Sequence, residues 1–266
     1  MELAKALEEL DSELQSFSSR PSTLVPDLVL FALATDVLER GRAVLHMADS
    51  ALPHKAYSNA RLAFDGAQQV LVFATHEDYE AAGAQAWVYF ASKDAGWRAQ
   101  QQRKDQRLPD VAEDQWLDEH VAQMSRIWDS VAQGQGALLT EALLRVRQLR
   151  KKRPDNWLHE DLLPRQHRAY EILAASAHKR VLAETRAVNE MIYKVLCRET
   201  HARPRIESFR INHDPARGTV RFSLSPRNVE QARRAVTGGT ELSVGETVAA
   251  LRWRRTSVAY ASEDEQ

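Results

Sequence analysis

The sequence predicts a mainly α fold, a multi-helix bundle with a small β-hairpin and short helices at the C-terminus. Three observations predict it. Apolar residues recur at steps of three and four through most of the chain. Gly and Pro are sparse, 10 and 9 of 266 residues, and fall between the periodic segments, as in helix bundles. Near the C-terminus the period changes, and apolar and polar residues alternate over 206–211 and 219–224.

The first helix is expected over 3–17, where Leu3, Leu7, Leu10 and Leu14 share a face, and the Ser/Arg/Pro stretch at 18–22 ends it. Pro26, preorganised for a first helical turn, opens a second that runs to about Ala51, ahead of Pro53. The third, 55–75, sets Ala60, Ala63, Phe64, Ala67, Val70, Leu71 and Ala74 in one apolar stripe. A fourth starts near Glu77 and carries Trp87, Phe90 and Trp97, with a polar tail at 98–107 that reads as an exposed end or a loop.

Pro109-Asp110 opens the next helical region, where Trp116, Val121, Met124, Ile127, Trp128 and Val131 recur at helical spacing. Gly134 and Gly136 weaken it, and helix resumes through Leu149 to four cations, Arg150 to Arg153, that suit the negative end of a helix dipole. Past Trp157, the stretch from Pro164 or Arg165 to Ala202 has no interior Gly or Pro and is expected as one helix over about 50 Å long. The turn-rich residues 212–218 then join the two alternating segments into a hairpin. Pro226 starts a helix, Gly238-Gly239 is expected to break it, and 244–253 resumes it. Three regions follow: an N-terminal helix (1–20), a helical bundle (21–204), and the hairpin with short helices (205–266) packed on the bundle.

Charge and composition limit the function classes. The net charge is −1, so no global basic field draws the chain to nucleic acid or an acidic membrane, and any such role must be local. The single cysteine, Cys197, excludes an intrachain disulfide and a cysteine metal cage, which fits a reducing cytoplasm. The opening Met1-Glu2-Leu3-Ala4-Lys5 lacks the pattern of a secretory signal, and the most apolar run, 24–38, is interrupted by Pro26, Asp27 and Asp36. No Gly-rich phosphate loop, paired-histidine zinc helix or Ser nucleophile elbow is present, so no cofactor or metal is called for.

Polar residues set beside apolar stripes are the remaining candidates. Arg61 and Asp65 are neighbours on the third helix, fit either to position a phosphate through the guanidinium or to pair structurally. On the long helix, Val188, Met191, Ile192 and Val195 make the apolar stripe, and Asn189, Tyr193, Cys197 and His201 wind along its border. His201 lies in the last turn before Pro204, where unpaired carbonyls favour the imidazolium; that suits a general acid and equally a capping histidine. Cys197, with Arg198 its only adjacent cation, reads as a small buried hydrophobe.

Two segments, 57–98 and 170–204, resemble the HEPN superfamily, and within it a family of uncharacterised prokaryotic all-helical proteins. The first carries Ala60-Arg61-Leu62-Ala63-Phe64-Asp65 and then Trp87-Val88-Tyr89-Phe90; the second carries Tyr193, Cys197, His201 and Pro204. The resemblance implies an α-helical bundle that often dimerises, and many members are metal-independent ribonucleases of toxin and phage-defence systems. Their site is an Arg followed, after four to six residues, by a His on one helix. Lys194, Val195 and Leu196 stand at those places before His201, while Arg40 to His46 and Arg153 to His159 match the spacing literally.

Two functions are therefore expected in competition. The first is a HEPN-like endoribonuclease of a bacterial stress or defence type, acting on RNA without a metal. His201 would then be acid or base and Arg61 or Arg198 would stabilise the phosphorane. The second is a non-catalytic helical scaffold or regulator with a protein partner or a second copy as its ligand. In it Arg61, Asp65, Tyr193 and His201 lock helices together.

Overall fold

A computed structural model describes residues 2–18, 25–49, 53–104, 113–131, 133–150, 157–158, 162–175, 209–214, 219–224 and 226–263. These residues are mainly helical. The helices are α1 (Glu2–Ser18), α2 (Val25–Ala48), α3 (Tyr57–Ala74, preceded by a 3₁₀ turn at Pro53–Ala56), α4 (Tyr79–Lys104), α5 (Glu113–Val131), α6 (Gln135–Arg150), α7 (Leu162–Ala175) and α8 (Pro226–Glu263). Strands β1 (Phe209–Asp214) and β2 (Thr219–Leu224) pair antiparallel, with Phe209 opposite Leu224 and Asp214 opposite Thr219. No helix among the described residues is long and apolar enough to cross a membrane.

The chain divides into two compact units, the first formed by 1–18, 33–71 and 170–266, the second by 19–32 and 72–169. In the first, the leucine ladder of α1 is buried as its spacing requires, and α1 packs along α8. Charge fixes the register: Arg252 of α8 bonds Glu13 at 2.7 Å and Glu9 at 2.8 Å, and Arg255 reaches Glu13 at 3.2 Å. The buried residues of α2 and α3 in this unit are the small and branched ones that the periodicity selects, Ala34, Val37 and Val44 with Ala60, Ala63 and Ala67.

α8 corrects one expectation. Gly238-Gly239 does not break it, and one helix of 38 residues replaces the short helices expected there. Each glycine costs a helix interior roughly 1 kcal/mol relative to alanine. Burial around the pair offsets that cost: Val236, Gly239, Thr240, Ser243, Val244 and Thr247 are all shielded from solvent. The hydroxyls inside this wall stay on the helix itself, with Thr240 donating to Val236 O, Ser243 to Gly239 O and Thr247 to Ser243 O.

In the second unit, α4, α5 and α6 pack around Val88, Leu117, Val121, Trp128, Leu139 and Val146. Gly134, at φ +90°, takes the left-handed conformation that separates α5 from α6, and the Gly136 N–H is then capped by Asp129 Oδ1 at 2.8 Å. Asp78 caps α4 by accepting from the Ala81 N–H at 3.2 Å, which moves its start two residues past Glu77. Trp157 is buried, with its ring edge-on to Phe73 at 5.5 Å.

Candidate functional site

Of the residues nominated from sequence, Asn189, Tyr193, Cys197, Arg198 and His201 lie outside the described residues, as do Arg153 and His159 and most of the long helix that was expected to carry the row. Arg61 and Asp65 are described, on α3 in the first unit. Arg61 Nε lies 3.5 Å from Asp65 Oδ2, with the two side chains 24% and 39% exposed. Burial pushes the Asp65 carboxyl above its ordinary value, outweighing the charge and hydrogen bond of Arg61, which pull the other way. The pair is half-buried and local, one helical turn long.

The other literal Arg-to-His match lies on α2: Arg40 is 3.3 Å from Asp36 and 3.4 Å from Asn59, and His46 is exposed.

One turn beyond Asp65 the structure assembles a cluster that the sequence did not single out. Gln68 of α3, Tyr170 of α7 and Glu246 of α8 meet inside the first unit, at 6%, 8% and 3% exposure. The Tyr170 hydroxyl donates to Glu246 Oε1 at 2.7 Å; Gln68 Nε2 lies 2.9 Å from both Glu246 Oε2 and the Tyr170 oxygen. The hydroxyl proton and both amide protons are thereby used, and both carboxylate oxygens accept. Bonds of this kind are what a buried carboxylate needs to offset its desolvation. It ties three helices that are distant in sequence.

A weak signal for the cluster does exist. Gln68 is flanked at helical spacing by Phe64 and Leu71, inside the apolar stripe, whereas Glu246 has only the small Ser243 and Ala250 at those spacings. Tyr170 carries no comparable mark.

The second unit has an aromatic feature that sequence also missed. The His120 ring stacks on Trp87 at 5.2 Å and on Trp116 at 4.7 Å, and the Arg98 guanidinium lies 5.2 Å from the Trp116 ring centroid. Burial and then the Arg98 charge hold the His120 imidazole below its ordinary value, against the opposing charge of Asp94. Of the two readings of the polar run at 98–107, its described part is the exposed end of α4, which continues to Lys104, and Arg98 there lies over Trp116. Among the described residues no group of three or more His, Cys, Asp or Glu side chains could hold a metal ion.

No protein-family model, curated protein or solved structure matches the chain.

Proposed function

We propose that this chain is a non-catalytic helical scaffold or regulatory interaction protein, in which the polar face of α3 locks helices together. The observation that supports the reading is the buried triad of Gln68, Tyr170 and Glu246. A general acid or base must come within hydrogen-bond reach of a substrate proton. These three groups are shielded from solvent and satisfy one another. The neighbouring Arg61 and Asp65 form an i,i+4 pair of the kind that fixes helix surfaces.

One observation favours the HEPN-like ribonuclease reading. Arg61 keeps about a quarter of its side chain open to solvent, and a guanidinium is the group suited to a phosphate. A single experiment separates the two. The full chain is incubated with structured and single-stranded RNA in chelator, beside His201→Ala. Intact RNA throughout supports the scaffold. Cleavage that is lost in His201→Ala, with helical content and melting unchanged, overturns it in favour of a metal-independent nuclease.

A further inference from the structure

Where α3 ends and α7 begins, the second unit carries a small, shallow recess that is open to solvent. Val72 and Ala169 give it an apolar lining, and His76, Glu77, Arg165 and Arg168 supply the polar wall. Arg165 and Arg168 stand three apart on α7, so their guanidiniums leave the same face. Both turn to one carboxylate: Arg165 Nη1 lies 3.3 Å from Glu77 Oε1, and Arg168 Nη2 lies 3.2 Å from Glu77 Oε2.

That carboxylate fits its partners loosely. Charge-assisted N–H···O contacts close to about 2.7–2.9 Å when geometry allows, and guanidinium recognition is strongest when one anion is gripped bidentately. Glu77 instead spreads one oxygen to each arginine, at longer range, from an exposed position on the turn between α3 and α4. Arg168 and Glu77 are mostly exposed, 61% and 58%, and pairs of this kind contribute about 0–1 kcal/mol, so releasing Glu77 from Arg168 costs little. A tetrahedral oxyanion carries more charge than a carboxylate and enough oxygens to meet both guanidiniums at once.

We propose that this recess is a phosphate site, with Glu77 as the built-in occupant that an incoming phosphate group displaces. His76 forms a neutral wall: its Nδ1 sits 3.1 Å from the Asp78 nitrogen, and burial, then Arg165, holds the imidazole below its ordinary value. The ligand class is a free phosphate ion or a phosphomonoester. The site lies in the second unit and is independent of the triad reading.

The test is calorimetric titration of the full chain with inorganic phosphate at pH 7.5, ionic strength held constant with potassium chloride, with acetate as the planar comparator. Wild type should bind one phosphate saturably, with Kd in the range of about 1–10 mM, and acetate more weakly. Arg165→Gln and Arg168→Gln should each weaken binding about tenfold or more. Glu77→Gln should strengthen it several-fold, because the competing carboxylate is gone. That gain cannot come from misfolding, so the proposal stays testable if an arginine variant fails to fold. Arg234→Gln, at an exposed position of α8, should match wild type. Phenyl phosphate run beside the ion assigns the source: tighter binding than the free ion supports a phosphomonoester, weaker binding a free phosphate. Unsaturable heats in wild type, equal weakening by Arg234→Gln, or an unchanged Kd in Glu77→Gln would overturn the site.

Discussion

Gln68 on α3 and Gln85 on α4 are buried to nearly the same degree, 6% and 4%, yet they are satisfied in different ways. In the first unit, Gln68 gives its amide protons to a carboxylate and a phenol held by two other helices. In the second, Gln85 gives one to the backbone carbonyl of Trp157 at 2.7 Å. A backbone partner is always present and needs no matching side chain. A side-chain partner that bears charge must be kept satisfied by everything around it. The two units therefore differ in how much a single polar deletion strands, although their glutamines look alike in accessibility.

The largest expected effect breaks the first arrangement. Gln68→Leu removes two donors and leaves the Glu246 carboxylate short of a partner, which should lower unfolding free energy by about 2–3 kcal/mol in urea denaturation. The triple variant Gln68→Leu, Tyr170→Phe, Glu246→Leu removes the demand together with the supply. It should recover most of that loss. A triple variant weaker than Gln68→Leu alone would mean that the cluster contributes net stability as a unit. Gln85→Leu should cost less, about 1–2 kcal/mol, since it strands one carbonyl oxygen and no charge.

Backbone approach in the second unit gives an effect of similar size by a different route. A Cβ on Gly83 would lie 2.5 Å from the Pro26 Cα, an atom that cannot swing aside. Gly83→Ala should therefore destabilise by about 1–3 kcal/mol despite the better helix propensity of alanine. At Gly41 in the first unit the nearest atom is the Leu7 Cδ2, also at 2.5 Å, the end of a side chain that can rotate. Gly41→Ala should cost measurably less. Equal losses at the two sites would show that the packing around Leu7 is as unyielding as a backbone.

These sites also show how far the sequence could be read. The ladder of α1 and the stripe of α3 followed from spacing, because a helix that buries one face must repeat apolar residues at three and four. The continuity of α8 did not, because local propensity counts Gly238-Gly239 as a break and cannot see the neighbours that bury it. Of the candidate site, the Arg61 and Asp65 pair was legible since both partners lie on one helix. The triad was not. Its members come from three helices separated by up to 178 residues, and one sequence carries no record of which helices meet. The stack was missed for the same reason only in part: Trp87 comes from α4, but Trp116 and His120 stand four apart on α5 and could have been paired from spacing.

A smaller effect tests that stack. The folded His120 is held below the ordinary histidine value, so the unfolded chain binds the proton more readily. Its contribution is complete above about pH 6.5 and is lost as pH falls below that toward the folded value. His76 is lowered in the same direction and adds to the same limb. His120→Phe keeps a ring against the two tryptophans and removes one titration. Its melting temperature should fall less steeply than that of wild type between pH 6.5 and 5, while at pH 8 the two should be close.

The smallest expected effect returns to α3. Asp65 is pushed up by burial in the folded state, so the folded chain holds its proton more tightly than the unfolded one does. Below the ordinary value of 3.8 both states are protonated and the carboxyl costs nothing. As pH rises through the interval above 3.8 the penalty develops, and at neutral pH it is complete. Asp65→Asn never ionises, so it should match wild type in acid and gain slightly at pH 7, by less than about 1 kcal/mol for a side chain this exposed. Arg61→Gln removes the charge and the hydrogen bond that pull the carboxyl back down, so it should destabilise at pH 7 but not when combined with Asp65→Asn. If Asp65→Asn instead destabilises at neutral pH, attraction to Arg61 outweighs the cost of burial, and the pair is a fastening of the same kind as the triad one turn away.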